Sequence, residues 1–165
     1  MIRKALLAIC FSICFQATLT PARAFDGVDI AQVRKLAEQG NAEAQSKLGV
    51  LYASGVGMTR DKKEALKWYL KAAGQGHPMG QWNLAFMYVK GEVVETDFVK
   101  ARELFRKAAE SGLPNAQYDL GVMLLEGLGG GQDRAEAENW FRRASVQGYR
   151  EADKILKELA QSEQK

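Results

Sequence analysis

Cysteine, histidine and proline are all scarce in this chain. Its 165 residues include two Cys, one His and three Pro. Both thiols, Cys10 and Cys14, lie close to the amino terminus, so the rest of the chain can form no disulfide, thiolate metal site or thiol nucleophile. The lone imidazole, His77, stands beside Pro78 with no second imidazole or thiolate near it in sequence. It reads as a loop residue rather than a metal ligand, and no metal or cofactor is expected. Few prolines and a hydrophobic fraction of 47% exclude collagen-like, Pro-rich and charge-dominated disordered chains. No apolar run reaches the ~18 residues that a membrane-spanning helix needs.

The longest apolar stretch, Ala5 to Phe15, follows Arg3 and Lys4, and Ala22-Arg23-Ala24 offers small residues at both cleavage positions. This is the pattern of a secretory signal peptide over residues 1–24. The mature chain is then expected to begin at Phe25, without cysteine and without membrane insertion, in a periplasm or outside the cell. Leu7-Ala8-Ile9-Cys10 is a poor lipidation box because Ile9 is too bulky. The 23 basic and 20 acidic residues make the whole chain positive, but Arg3, Lys4 and Arg23 leave with the signal and no acid does. The signs then balance, and the cationic excess that phosphate backbones require is gone. Nucleic acid is not an expected partner.

What the chain does have is an internal repeat. A shift of 36 residues aligns Gln45, Gln81 and Gln117, then Leu48, Leu84 and Leu120, and Gly55, Gly91 and Gly127, without a gap. Asp61, Asp97 and Asp133 follow, as do Gly76, Gly112 and Gly148. Such a period describes stacked units that bury apolar surface only against their neighbours. Each unit contains two helical patterns. Ala44, Leu48, Leu51 and Tyr52 mark a helix A, and Ala65, Trp68, Tyr69, Ala72 and Ala73 a helix B. Asp61 with Glu64, and Asp133 with Glu136, give capping-box starts. Gly40, Gly76, Gly112 and Gly148 sit where a left-handed residue would end each B helix.

The run Leu48-Gly49-x-x-Tyr52-x-x-Gly55-x-Gly57, followed by Asp61 and Ala65-x-x-Trp68-Tyr69-x-Lys71-Ala72-Ala73-x-x-Gly76, resembles the Sel-one-like repeat, a tetratricopeptide-like family. The resemblance covers three units, 41–76, 77–112 and 113–148. It implies an all-α, right-handed α-solenoid of antiparallel helix pairs, about eight helices, capped by a lone B helix in 25–40 and a lone A helix with its tail in 149–165. The length suits one compact domain. Val93 replaces a loop glycine, so the second loop is expected to distort. Leu104 replaces the Trp and Ala85 the helix A glycine of that unit, and Leu124 replaces the Tyr of the third.

No catalytic constellation is visible. Gly127 to Gly131 lacks the Lys-Ser/Thr of a phosphate-binding loop. Glu92, Glu95, Glu136 and Glu138 alternate with basic residues as on a solvated face. The chain reads as a non-enzyme. Cysteine-rich relatives within the resembled family have been associated with binding or hydrolysing penicillin-type compounds, but their cysteines are missing here.

A second apolar stripe lies on the A helices, roughly opposite the packing face. It is weak in the first unit, at Ser46, Val50 and Ala53. It becomes Trp82, Phe86 and Val89 in the second and Tyr118, Val122 and Leu125 in the third. In the terminal helix the equivalents are Lys154, Glu158 and Gln161. By resemblance to tetratricopeptide arrays these positions line a concave groove, with Met79 at its margin. The competing reading packs them between adjacent helices. The expected function is an exported adaptor or scaffold, a monomer that binds a protein or peptide segment in that groove. The alternatives are an immunity protein that neutralises a secreted phospholipase-type toxin and, more remotely, a cell-wall or penicillin-active enzyme.

Overall fold

The computed structural model describes residues 29–162. The signal segment, both cysteines, Phe25 and the last three residues lie outside them. The described residues form eight helices and no strand: α1 (Ile30–Glu38), α2 (Ala42–Ser54), α3 (Lys62–Gly74), α4 (Pro78–Lys90), α5 (Phe98–Glu110), α6 (Pro114–Glu126), α7 (Arg134–Val146) and α8 (Arg150–Ser162). The fold is thus all-α, with helices A and B alternating as the 36-residue period requires. The final helix runs from Arg150 through Ser162.

Local chemistry explains the boundaries. Asp61, Asp97 and Asp133 each accept a backbone N–H from the first turn of the helix they precede, at 2.8–3.1 Å. Asn41 does the same for α2 and Asp29 for α1. Each A helix is tied to the start of its B helix by one backbone bond across the loop: Asp61 N–H to the Tyr52 carbonyl, Asp97 to Tyr88, and Asp133 to Leu124. Gly57 and Gly129 have φ near +70° inside their loops, and at Gly129 a Cβ would come within 2.1 Å of the Phe98 carbonyl oxygen. The second loop departs from this path as expected. Val93, at the equivalent position, has no positive φ, yet the tie from Asp97 to Tyr88 and the helix register are kept. The distortion is absorbed within the loop.

The chain divides into two compact units between Gly80 and Gln81, where one had been expected. Stacked repeats touch only their neighbours, so contacts local to each unit dominate. In the first unit α1 packs on α2 and α2 on α3, around Ala37, Ala44, Leu48 and Leu51. In the second, α5 packs on α6, α6 on α7 and α7 on α8, around fully buried Phe105, Leu120, Leu124 and Phe141. Leu84 of α4 is buried as its place on the packing face demands.

A buried glutamine recurs in the A helix of each of the three repeats. Gln45 Nε2 donates to the Ala37 carbonyl, and its Oε1 accepts from Gln75 Nε2 at 2.7 Å. Gln117 repeats both bonds, with Ala109 and with Gln147 at 2.8 Å. In the second repeat the residue equivalent to Gln75 and Gln147 is Ser111, whose short side chain bonds back to the Lys107 carbonyl. Gln81 Oε1 is accordingly buried with no partner among the described residues. Satisfying one such acceptor is worth about 1 kcal/mol. Ser111→Gln should therefore raise the denaturant midpoint by an amount equivalent to about 1 kcal/mol, whereas Gln147→Ser should lower it. An unchanged midpoint in Ser111→Gln would show that this amide bridge does not stabilise the second repeat.

Candidate functional site

The side chains singled out on the second stripe part company in the structure. Trp82 and Phe86, one turn apart on α4, are half-buried and meet edge to face, with centroids 4.8 Å apart and planes at 79°. Phe86 in turn meets the buried ring of Phe105 on α5 at 5.1 Å, again edge to face. The pair is thus a surface aromatic cluster rooted in the core. Val89 on α4 and Leu125 on α6 are half-buried on the same stripe. Met79 is half-buried too, but it precedes the division between the compact units.

Tyr118 and Val122 go the other way. They are 6% and 7% exposed. Tyr118 packs against Phe141 of α7 at 5.6 Å and against Tyr149, in the connection after α7, at 5.1 Å. The expectation that Tyr118 and Val122 are solvent-facing is corrected. Their stripe in the third unit is closed over by the chain that follows it, and the packing reading holds for these two. Lys154 and Glu158 of α8 are exposed.

A residue that the sequence reading passed over connects the helices. Trp82 Nε1 donates to Asp119 Oδ2 at 2.7 Å, and Asp119 is 6% exposed. Burial pushes the Asp119 carboxyl up to about 7, while the Trp82 hydrogen bond pulls in the opposite direction and loses. The signal was available. Asp119 is the only charge between Leu113 and Leu125, in a helix whose neighbouring positions are apolar. It was missed because acids were weighed as clusters, and this one stands alone.

The other candidates are structural. His77 Nδ1 accepts the Gly80 N–H at 3.3 Å, so the imidazole caps the first turn of α4 ahead of Pro78, and burial lowers its pKa. The Gly127–Gly131 stretch is held by Arg102, whose Nη1 donates to the Gly131 carbonyl at 3.1 Å. Glu136 is held below the usual carboxylate range by its pair with Arg106 and also accepts from Trp140 Nε1. Glu138 pairs with Arg134 and Arg142.

The Sel1 repeat pattern matches residues 42–77, 78–113 and 114–149. The chain belongs to the Sel1 repeat family. Among solved structures it is similar to a Sel1 repeat protein from Oxalobacter formigenes, with 34% identity, a TM-score of 0.72, and coverage of 79% of this chain and 98% of that one. It is also similar to c5321, described as a protective antigen present in uropathogenic Escherichia coli strains and displaying the same repeat fold. The identity there is 42% and the TM-score 0.69, over 73% of this chain and 26% of that one. Helicobacter pylori cysteine rich protein B shares the fold at 22% identity and a TM-score of 0.62, over 79% of this chain and 98% of that one. A curated relative, the secretory immunoglobulin A-binding protein EsiB of Escherichia coli O6:H1, is 40% identical over 70 residues. That is 42% of this chain and 14% of EsiB, so the chain spans only a small part of that relative's length.

Two outcomes follow from this geometry. Tyr118→Ala should cost about 3 kcal/mol or more of stability, read as a fall in the denaturant midpoint, because it empties a ring site between two other rings. A midpoint within error of wild type would return Tyr118 to the surface. For Asp119, a folded-state pKa raised from the ordinary 3.8 to about 7 means that the folded chain holds its proton more tightly than the unfolded one. Its contribution to stability should be fully present below about pH 4 and be lost as pH rises through about 7. Asp119→Asn keeps an acceptor for Trp82 and removes the charge. It should stabilise the protein most above pH 7 and flatten the profile between about pH 4 and 7. Equal pH slopes in the two proteins would contradict the assignment.

Proposed function

We propose that this Sel1 repeat protein is a non-enzymatic binding module, exported to the periplasm or beyond, that holds a segment of a partner protein on the face of α4 and α6. The observation that carries the reading is the Trp82–Asp119 hydrogen bond. It locks a half-buried indole, supported from beneath by Phe86 and Phe105, at one orientation on an otherwise apolar stripe. An aromatic held rigidly and left partly exposed gives up little conformational entropy on binding, which is the property of a binding hot spot. Val89 and Leu125 extend the contact with aliphatic surface.

Family and relatives support the same reading. Sel1 repeats are generally protein-interaction modules, and EsiB is named for binding an immunoglobulin. No helix of the described residues is long and apolar enough to cross a membrane. The signal-peptide pattern in residues 1–24 supports export, and c5321 is described as a protective antigen.

Site-specific photo-crosslinking in the native envelope tests this face. A benzoylphenylalanine in place of Val89 should give a discrete cross-linked species, while one in place of Glu103, exposed on α5, should not. Crosslinks from position 103 alone would move the binding surface to the B helices and overturn the proposal.

A further inference from the structure

Asp119 is a buried carboxyl that no cation of the described residues offsets, and burial makes it hold a proton up to about pH 7 instead. Buried carboxylates are ordinarily neutralised by a cation or held by several N–H donors. Asp119 receives the indole N–H of Trp82, burial opposes its ionisation, and no cationic side chain among the described residues acts on it. Three basic residues of the same compact unit are committed to other carboxylates. Arg106 pairs with Glu136, Lys107 with Glu103, and Arg142 with Glu138.

Nor does the fold ask for an acid at this place. The positions one and two periods earlier are Asn83 and Lys47, and the position one period later is Ile155. An amide, an ammonium and an aliphatic chain all serve in the same register of an A helix. The carboxylate at 119 therefore meets no requirement of the repeat, and it lies in direct contact with the indole that the functional reading puts at the centre of the binding face.

We propose that Asp119 is a charge-reading subsite: it pairs with the ammonium or guanidinium of a basic side chain carried by the bound segment, with the Trp82 indole flanking the cation. The inference rests on the reading of α4 and α6 as a binding face, and it names the chemistry of the occupant. That occupant is a stretch of partner polypeptide with a Lys or Arg set among apolar residues. The apolar residues meet Phe86, Val89 and Leu125. The cation supplies the compensation that Asp119 lacks, and the electron-rich face of an indole attracts it as well. A charge pair formed away from water discriminates against a neutral side chain, which leaves the carboxyl protonated, and more strongly against an acidic one.

The test uses the full mature chain on an array of immobilised random hexapeptides. In each set one position is fixed as Arg, Lys, citrulline, Glu or Leu. Citrulline keeps the shape and hydrogen-bonding reach of Arg without its charge. Wild-type protein should retain the Arg and Lys sets about tenfold or more over citrulline, with Glu weakest. In Asp119→Asn, which keeps an acceptor for Trp82, the preference for Arg over citrulline should fall to about one. Equal retention of Arg, citrulline and Leu sets by wild type would overturn this inference and leave the binding face standing. A preference for Arg that survives in Asp119→Asn would also overturn it. Retention of no set would overturn the binding face as well. The wild-type comparison of Arg with citrulline decides the matter even if circular dichroism shows that the variant does not fold.

Discussion

The contact on which each repeat depends is an aromatic ring of helix B lying flush against a residue of helix A that has almost no side chain. At Gly49 of α2 an added Cβ would come within 2.5 Å of the Tyr69 ring of α3, and at Gly121 of α6 within 2.7 Å of the Phe141 ring of α7. No real Cβ tolerates such distances, so in these two pairs glycine sets how closely the helices approach and which ring fills the space between them. Phe141 is fully buried there, and Tyr69 nearly so, with its hydroxyl driven well above the ordinary phenol range. The remaining pair shows what happens when the glycine is lost. Ala85 stands at the equivalent place in α4, and Phe105, the corresponding ring, also meets Phe86 edge to face. The aromatic surface cluster of the second compact unit is thus continuous with the packing contact of its own repeat.

Because the units share one geometry, each serves as a control for the others. Trp140 donates its indole N–H to Glu136, whereas the buried Nε1 of Trp68 has no partner among the described residues. The equivalent acid, Glu64, is present but is taken by Lys67, which stands where the third repeat has Asn139. Above both indoles lies a cation, Lys71 at 4.1 Å from the Trp68 centroid and Arg143 at 4.6 Å from that of Trp140. In the second repeat Leu104 replaces the indole, and Lys107 turns to Glu103 instead. One substitution redirects its neighbours within a turn and leaves the backbone register untouched. Such local accommodation is what nearest-neighbour stacking allows.

This locality is also why the fold was legible in the sequence and the site only partly so. Helix limits, aspartate caps and left-handed glycines depend on residues a few places apart, and a gapless period repeats each signal three times. Burial on the second stripe depends on something else, the chain that happens to lie opposite. Ser46, Trp82 and Tyr118 share a register, yet Ser46 is buried, Trp82 half-buried, and Tyr118 buried beneath Phe141 and Tyr149. No periodic aromatic signal announces Tyr149, which follows the last B helix and whose counterparts after Gly112, Gly76 and Gly40 are Leu113, His77 and Asn41. Asp119 escaped for the complementary reason. Periodicity finds residues that recur, and its importance lies in not recurring.

A repeat protein separates the positions that must be alike from those that are free to differ, and the second compact unit uses that freedom at a cost to its own folding. Within one register of the A helices stand Lys47, Asn83, Asp119 and Ile155, and in the adjacent one Ser46, Trp82, Tyr118 and Lys154. Taken alone, Trp82 would be a partly exposed indole with its N–H in reach of water, and Asp119 a carboxylate better placed at the surface. Joined, they bury an ionisable group with one neutral donor to hold it, an arrangement that a plain packing contact such as Ile155 avoids. Stability alone would favour an aliphatic or amide side chain at 119, and this is the physical ground on which the carboxylate and its indole are proposed as a binding surface.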